Sequence, residues 1–165
     1  MRPDWLPVPE MLRNRPRVGR FPVPFVTAVV RGRPDFKVHD EVARARAAAE
    51  RLCQLCGHEL GEEIAFVGSR YSVERRIFGE PPAHPACLDF AFQSCPFLAG
   101  RNWAEGWQEQ ARAAGITVLV PPEAPEEMGI LITDRFWLVE DDEGATDFKY
   151  QAGDPIRDIE WRKRG

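Results

Sequence analysis

Hydrophobic positions along this chain follow two periods. Val42, Ala45, Ala49 and Leu52 lie three or four residues apart, with arginines between them, so one face of a helix is apolar and the other faces water. Asp40 precedes this run as an N-cap, which predicts a helix from Glu41 to about Leu52. Leu88, Ala91, Phe92 and Cys95 repeat the spacing i, i+3, i+4, i+7. Pro85 suits the first helical position there and makes His84 the N-cap. A third stripe comprises Trp103, Trp107 and Ala111. Asn102 opens it, Glu105 completes a capping box and Gly115 ends it.

Elsewhere the apolar residues run together or alternate, which predicts strands. Phe25 to Val30 and Asp35 to Val38 flank the turn Arg31-Gly32-Arg33-Pro34. Ile64 to Val67 and Val73 to Phe78 flank Gly68-Ser69. Later come Ile116 to Val120, Gly129 to Thr133, Phe136 to Val139, Asp147 to Gln151 and Ile156 to Trp161. Turns at 133–135, 142–144 and 152–155 separate the last four, and residues 121–128 form a Pro/Glu loop. The pattern predicts an α+β chain with flanking β-hairpins and two or three short helices. Residues 1–20 show no apolar period and read as an Arg/Pro-rich arm. Residues 21–165 read as one domain.

Composition sharpens this only in places. The chain has 165 residues, 44% of them hydrophobic and 29% charged, which is globular rather than disordered. Its 15 prolines, about twice the usual share, predict short elements and irregular connections. No apolar run reaches the roughly 18 residues that span a bilayer, and no secretory leader is apparent. A cytoplasmic protein is expected, and cysteines in a reducing compartment favour metal binding over disulfides. A net charge of −4 argues against a simple basic nucleic-acid binder. The charge is uneven: residues 1–52 carry 11 basic and 6 acidic side chains, residues 102–165 carry 7 and 14.

The sharpest chemistry is Cys53-Gln54-Leu55-Cys56-Gly57 followed by His84-Pro85-Ala86-Cys87. A Cys-x-x-Cys-Gly turn aims two thiolates at one centre, and glycine permits the positive φ that the turn needs. A helix that begins His-Pro-x-Cys offers two more ligands from its first turn, because positions i and i+3 share a side. Three sulfurs and one imidazole suit one tetrahedral zinc ion with no open position. Knuckle, hairpin and helix in that order predict a treble-clef-like finger across residues 51–98. His58, beside the knuckle, is a rival for the fourth position. So is Cys95, eight residues after Cys87; if one helix holds both, they lie roughly 12 Å apart along its axis. A break at Pro96 would instead allow an iron–sulfur or redox-sensing site on all four cysteines.

These residues carry a resemblance. Pro22-Val23-Pro24-Phe25-Val26, Gly32-Arg33-Pro34-Asp35-Phe36, Arg51 to Gly57, Glu80 to Cys87 and Cys95-Pro96-Phe97-Leu98 resemble a family of uncharacterised proteins from bacteria and their phages. The likeness covers roughly residues 21–100, is specific only when its motifs are taken together, and implies no activity. HNH nucleases also build on a treble clef, but their general base is a hairpin histidine, and none lies between Glu59 and Ala83. Nucleotide deaminases combine His-x-Glu with a later Pro-Cys-x-x-Cys. Here His39-Asp40-Glu41 precedes Cys53 too closely, and leucine stands where that proline belongs.

Two functions are expected from this reading. The first is a zinc-stabilised binding or adaptor module for a protein or nucleic-acid partner. Its candidate surface is Arg31, Arg33, Arg70, Tyr71, Arg75 and Arg76, with Arg13, Arg15, Arg17 and Arg20 nearby in the chain. The second is an enzyme with a site away from the zinc, lined by Trp103 and Trp107 or by Asp134, Glu140, Asp141 and Asp142.

Overall fold

The computed structural model describes residues 7–99, 105–116, 125–140 and 148–164. Within them the chain is α+β, built from several small antiparallel sheets and short helices. The expected strand from Ile116 to Val120, beyond Ile116 itself, the turn at 142–144, and Asn102, Trp103, Asp141 and Asp142 lie outside the described residues, as does the Trp107 side chain.

A short 3-10 turn, Glu10–Leu12, places Leu12 in the core at 3% exposure. Strand β1 (Arg17–Val18) then pairs with β2 (Phe21–Pro22). The hairpin of β3 (Thr27–Val30) and β4 (Arg33–His39) pairs with no other strand among the described residues. Its turn holds Arg31 and Gly32 at φ 53° and 79°, the left-handed pair that a tight two-residue hairpin needs.

Helix α1 (Glu41–Glu50) is capped as expected: Asp40 accepts from the amides of Val42 and Ala43. Its buried face is not the expected one. Val42, Ala45 and Ala49 are exposed, while Arg44 and Ala47 are buried. Alanines bury too little area to orient a helix, and the stacked Arg44 side chain decides the face instead.

Strand β5 (Ile64–Gly68) leads into helix α2 (Arg70–Arg75), where a strand over Val73–Phe78 is expected. Ser69 accepts from the Ser72 amide and caps α2, and Arg76 ends it in the left-handed conformation. Only Ile77–Phe78 is extended, as β6. Nor do β5 and β6 form a hairpin. β5 pairs with β7 (Glu127–Thr133), and β6 pairs with β9 (Phe148–Ala152).

Helix α3 (Pro85–Ser94) follows, then the single turn α4 (Pro96–Ala99) and helix α5 (Glu105–Ala113). Strands β8 (Phe136–Glu140) and β10 (Ile156–Lys163) complete two three-stranded sheets, ordered β10-β7-β5 and β6-β9-β8. The core lies between them. Phe66 stacks on Phe78 at 4.9 Å and meets Phe136 edge-on at 6.0 Å, so aromatic contacts join the sheets. Among the described residues no helix is long and apolar enough to cross a membrane.

Candidate metal centre

After α1 the chain reverses through Arg51, itself left-handed at φ 55°. A bridge between Leu52 and Glu59 closes the loop that follows. Inside it the Cys53 amide donates to the His58 carbonyl at 2.8 Å and the Gly57 amide to the Cys53 carbonyl at 2.9 Å. Gly57 sits at φ 77°, and a Cβ there would stand 2.8 Å from the Phe25 ring, so both conformation and space demand glycine. The amides of Phe25 and Val26 donate to the carbonyls of Leu55 and Gln54, which lays the segment before β3 along the knuckle.

The second ligand pair rides on α3. Leu88, Ala91 and Phe92 are buried as its stripe predicts. His84 is the N-cap residue, but its side chain makes no capping bond; the ring turns towards the cysteines. Two bonds between Ala65 and Ala83, at 2.8 and 2.9 Å, fix the entry to α3 against β5. The Gln54 amide donates to Pro82, and its side chain to Pro81, which tie that entry to the knuckle.

The ligand atoms of Cys53, Cys56, His84 and Cys87 all lie within 4.8 Å of one another. His84 Nδ1 stands 3.3 Å from the Cys56 sulfur and 4.0 Å from that of Cys87. Metal–sulfur bonds of about 2.3 Å and metal–nitrogen bonds of about 2.0 Å imply tetrahedral edges of about 3.5–3.8 Å, so these spacings fit a single small ion. The outer nitrogen fits as well. Nε2 stands 2.9 Å from the Glu59 carbonyl and donates to it, which leaves the Nδ1 lone pair for a metal. Backbone amides of Leu55 and His84 donate to the Cys53 sulfur and that of His58 to Cys56, each at 3.4 Å. Amides aimed at sulfur favour thiolates.

Burial opposes ionisation of Cys53, but bonds to Cys56, Cys87 and His84 outweigh it and hold that thiol far below its ordinary value. The sulfurs of Cys53 and Cys56, with burial, push Cys87 up. Chiefly through Cys53 and then Cys56, His84 rises to about 10. Such a cluster shares protons that a divalent cation would displace. Cys53 and Cys87 are fully buried and Cys56 is 4% exposed.

The rival ligands stand apart. His58 is exposed and outside the group. Cys95 caps the C-terminus of α3, so one helix does span Cys87 to Cys95; it too is outside the group, and it is half-buried rather than part of the core.

The candidate surface falls on two elements. Arg31 and Arg33 are exposed at the β3–β4 tip, with no ion pair among the described residues. The other four belong to α2 and its cap. Arg70 pairs with Glu127 and lies over the Trp161 ring at 4.2 Å. Arg75 covers Tyr71 and donates to its hydroxyl at 2.9 Å, and Arg76 pairs with Asp154 at 2.8 Å. Arg70 and Tyr71 line an open groove of about 710 Å³ with Glu126, Glu127 and Lys163. Asp134 is held below the usual carboxylate range by its bonds to Arg157, which suits an ion pair and not a proton-transfer group.

Sequence reasoning missed the buried Arg44 and Tyr150. Nothing in an arginine between alanines distinguishes it from a solvated one. No family model, curated protein or solved structure matches this chain.

Proposed function

We propose that the chain is a binding module whose fold is held by one structural zinc ion on Cys53, Cys56, His84 and Cys87. The observation that carries this is the convergence of four ligand atoms, from two segments 28 and 31 residues apart in the chain, within 4.8 Å. Zinc is favoured by the donor set, since three thiolates and one imidazole match closed structural sites. A closed site, with three buried sulfurs, leaves no position for a substrate. An iron–sulfur reading needs a fourth cysteine, and Cys95 lies about 12 Å along the helix from Cys87. The order of a knuckle and then a helix-borne pair is that of a treble-clef finger, with β5, α2 and β6 in place of its hairpin.

The partner-facing element in this reading is the β3–β4 hairpin. Val29 and Val30 are 61% and 50% exposed beside Arg31 and Arg33. Aliphatic side chains next to cations suit a protein partner with an apolar face and an acidic rim better than a phosphate backbone. Much of the α2 charge is already paired, which also weakens the nucleic-acid reading.

Metal content by mass spectrometry, with thiol counting before and after chelation, is the first test. One zinc per chain and three thiols protected until the zinc is removed are expected. Visible absorbance from iron would overturn the reading. Cys53→Ser or Cys87→Ser should unfold the finger, since such sites contribute on the order of 10 kcal/mol; a Cys53 variant that folds fully would refute structural zinc. Single-stranded DNA should bind weakly to the intact protein. Tight, steeply salt-dependent binding that Arg31→Glu with Arg33→Glu abolishes would move the partner to nucleic acid.

A further inference from the structure

The edge of a sheet presents unpaired backbone donors and acceptors, and proteins guard it with charge, proline, bulges or cover. Most of the longer strands here are central or guarded. β7 and β9 lie inside their sheets. The side of β5 away from β7 carries the Ala65–Ala83 bridge. β10 has a register shift after Ile156 and five charged side chains among its eight residues. β4 holds Pro34 and Lys37, and its register with β3 slips between Asp35 and His39.

Two edges are bare. β3 and β8 contain no proline, lysine or extra residue, and each pairs with a single strand among the described residues. β8 also ends before the core does. Leu138 stands opposite Tyr150, so the two share a face, yet Tyr150 is fully buried and Leu138 is 46% exposed. Trp137, on the other face, is half-exposed as well. β3 has the same character. Val29 and Val30 are consecutive, hence on opposite faces, and both are exposed. A two-stranded hairpin is marginal by itself in water and gains from a third strand.

The charges of the two edges are complementary. Arg31 and Arg33 lie at the tip that β3 leads into, and Glu140 ends β8; all three are exposed and make no ion pair among the described residues. Arg135, also exposed, precedes β8. The same polarity runs through the sequence, basic over residues 1–52 and acidic over 102–165.

We propose that β8 of one copy of this chain receives β3 of a second copy as the next strand of its sheet. The added strand runs parallel to β8, which brings the tip arginines to Glu140 rather than to Arg135. Val29 and Val30 then cover Trp137 and Leu138, one pair on each face. This rests on the hairpin as the partner-facing element and names the chain itself as the partner. The contact joins two different surfaces, so it is heterologous.

The test is sedimentation velocity of the full-length, metal-loaded protein from about 1 μM to about 1 mM, the range of weak interfaces. Association that grows with concentration is expected. It should weaken severalfold as added salt shortens the screening length from about 30 Å to about 3 Å. Val30→Asp and Leu138→Asp should each weaken it at least about tenfold, because each buries an unpaired charge in the contact. A mixture of the two variants should form a 1:1 complex and stop there, since it retains one intact hairpin edge and one intact β8 edge. Glu140→Arg should weaken association, and adding Arg31→Glu with Arg33→Glu on the same chain should restore it. These charge variants decide the matter if circular dichroism shows that Leu138→Asp does not fold.

A parent that stays monomeric throughout would overturn self-association and leave the hairpin to a different protein. Association that Leu138→Asp abolishes and Val30→Asp does not would overturn the hairpin's role as well, since β8 edges would then pair with each other. A mixture with no 1:1 complex, or a charge exchange that restores nothing, would overturn the pairing of β3 with β8.

Discussion

His39 closes β4 and donates to Glu80 at 3.0 Å. That bond raises the imidazole above its ordinary 6.5, against burial and the nearby Arg44. A raised folded value means the pair stabilises fully below the unfolded pKa and is lost as pH rises through the folded one. Glu80 is half-exposed, so screening limits the pair to under about 1 kcal/mol. Glu80→Gln should therefore lower stability in urea at about pH 5.5, with the gap closing by about pH 9. A gap that widens with pH would contradict the assignment. At this scale the candidate ligand cluster was legible and the buried charge was not. Cys53, Cys56, His84 and Cys87 stand out because the spacing that a chelate site would need is displayed directly in the chain, and the fold brings them together. Arg44 acquires its role from Phe148, more than a hundred residues away, and no local pattern encodes that contact.

Among the elements, α2 shows where local reading fails. Tyr71 and Val73 favour strands, six residues are too few for a helical period to declare itself, and the Ser69 cap alone marks the start. What holds α2 is tertiary. Val73 enters a notch over β7 made by Gly129, where an added Cβ would stand 2.7 Å from Val73 Cγ2 and 3.0 Å from the Trp161 ring. Gly129→Ala should cost about 1–3 kcal/mol by overpacking. Adding Val73→Ala should restore part of that loss in a double-mutant cycle followed by urea unfolding. Additive losses would show that α2 does not seat in the notch. The strands β7 to β10, by contrast, match their apolar runs within a residue or two: β7 and β9 are central and mostly buried, and the edge strands β8 and β10 are bounded by the turns at 133–135 and 152–155. Their partners were not legible, since pairing β5 with β7 spans a separation that no periodicity records.

The described elements meet at the candidate metal centre. The knuckle hangs from α1, the second ligand pair opens α3, and Ala65–Ala83 bonds fasten that opening to β5. β5 lies in the β7 sheet, and Phe66 on β5 carries the contact to Phe78 and the β9 sheet. Arg44 ties α1 to β9 by a second route. A metal contribution on the order of 10 kcal/mol rivals the whole stability of an ordinary domain, about 5–15 kcal/mol. Chelation should then unfold the sheets together with the finger. Far-UV circular dichroism and the Trp161 indole signal from β10 should move in one transition as EDTA strips the metal, and both should return on adding zinc. Loss of helical signal with an unchanged Trp161 signal would divide the molecule into two cooperative units. The Phe66–Phe78 contact would then be a boundary between them, and the β10-β7-β5 sheet would stand without metal.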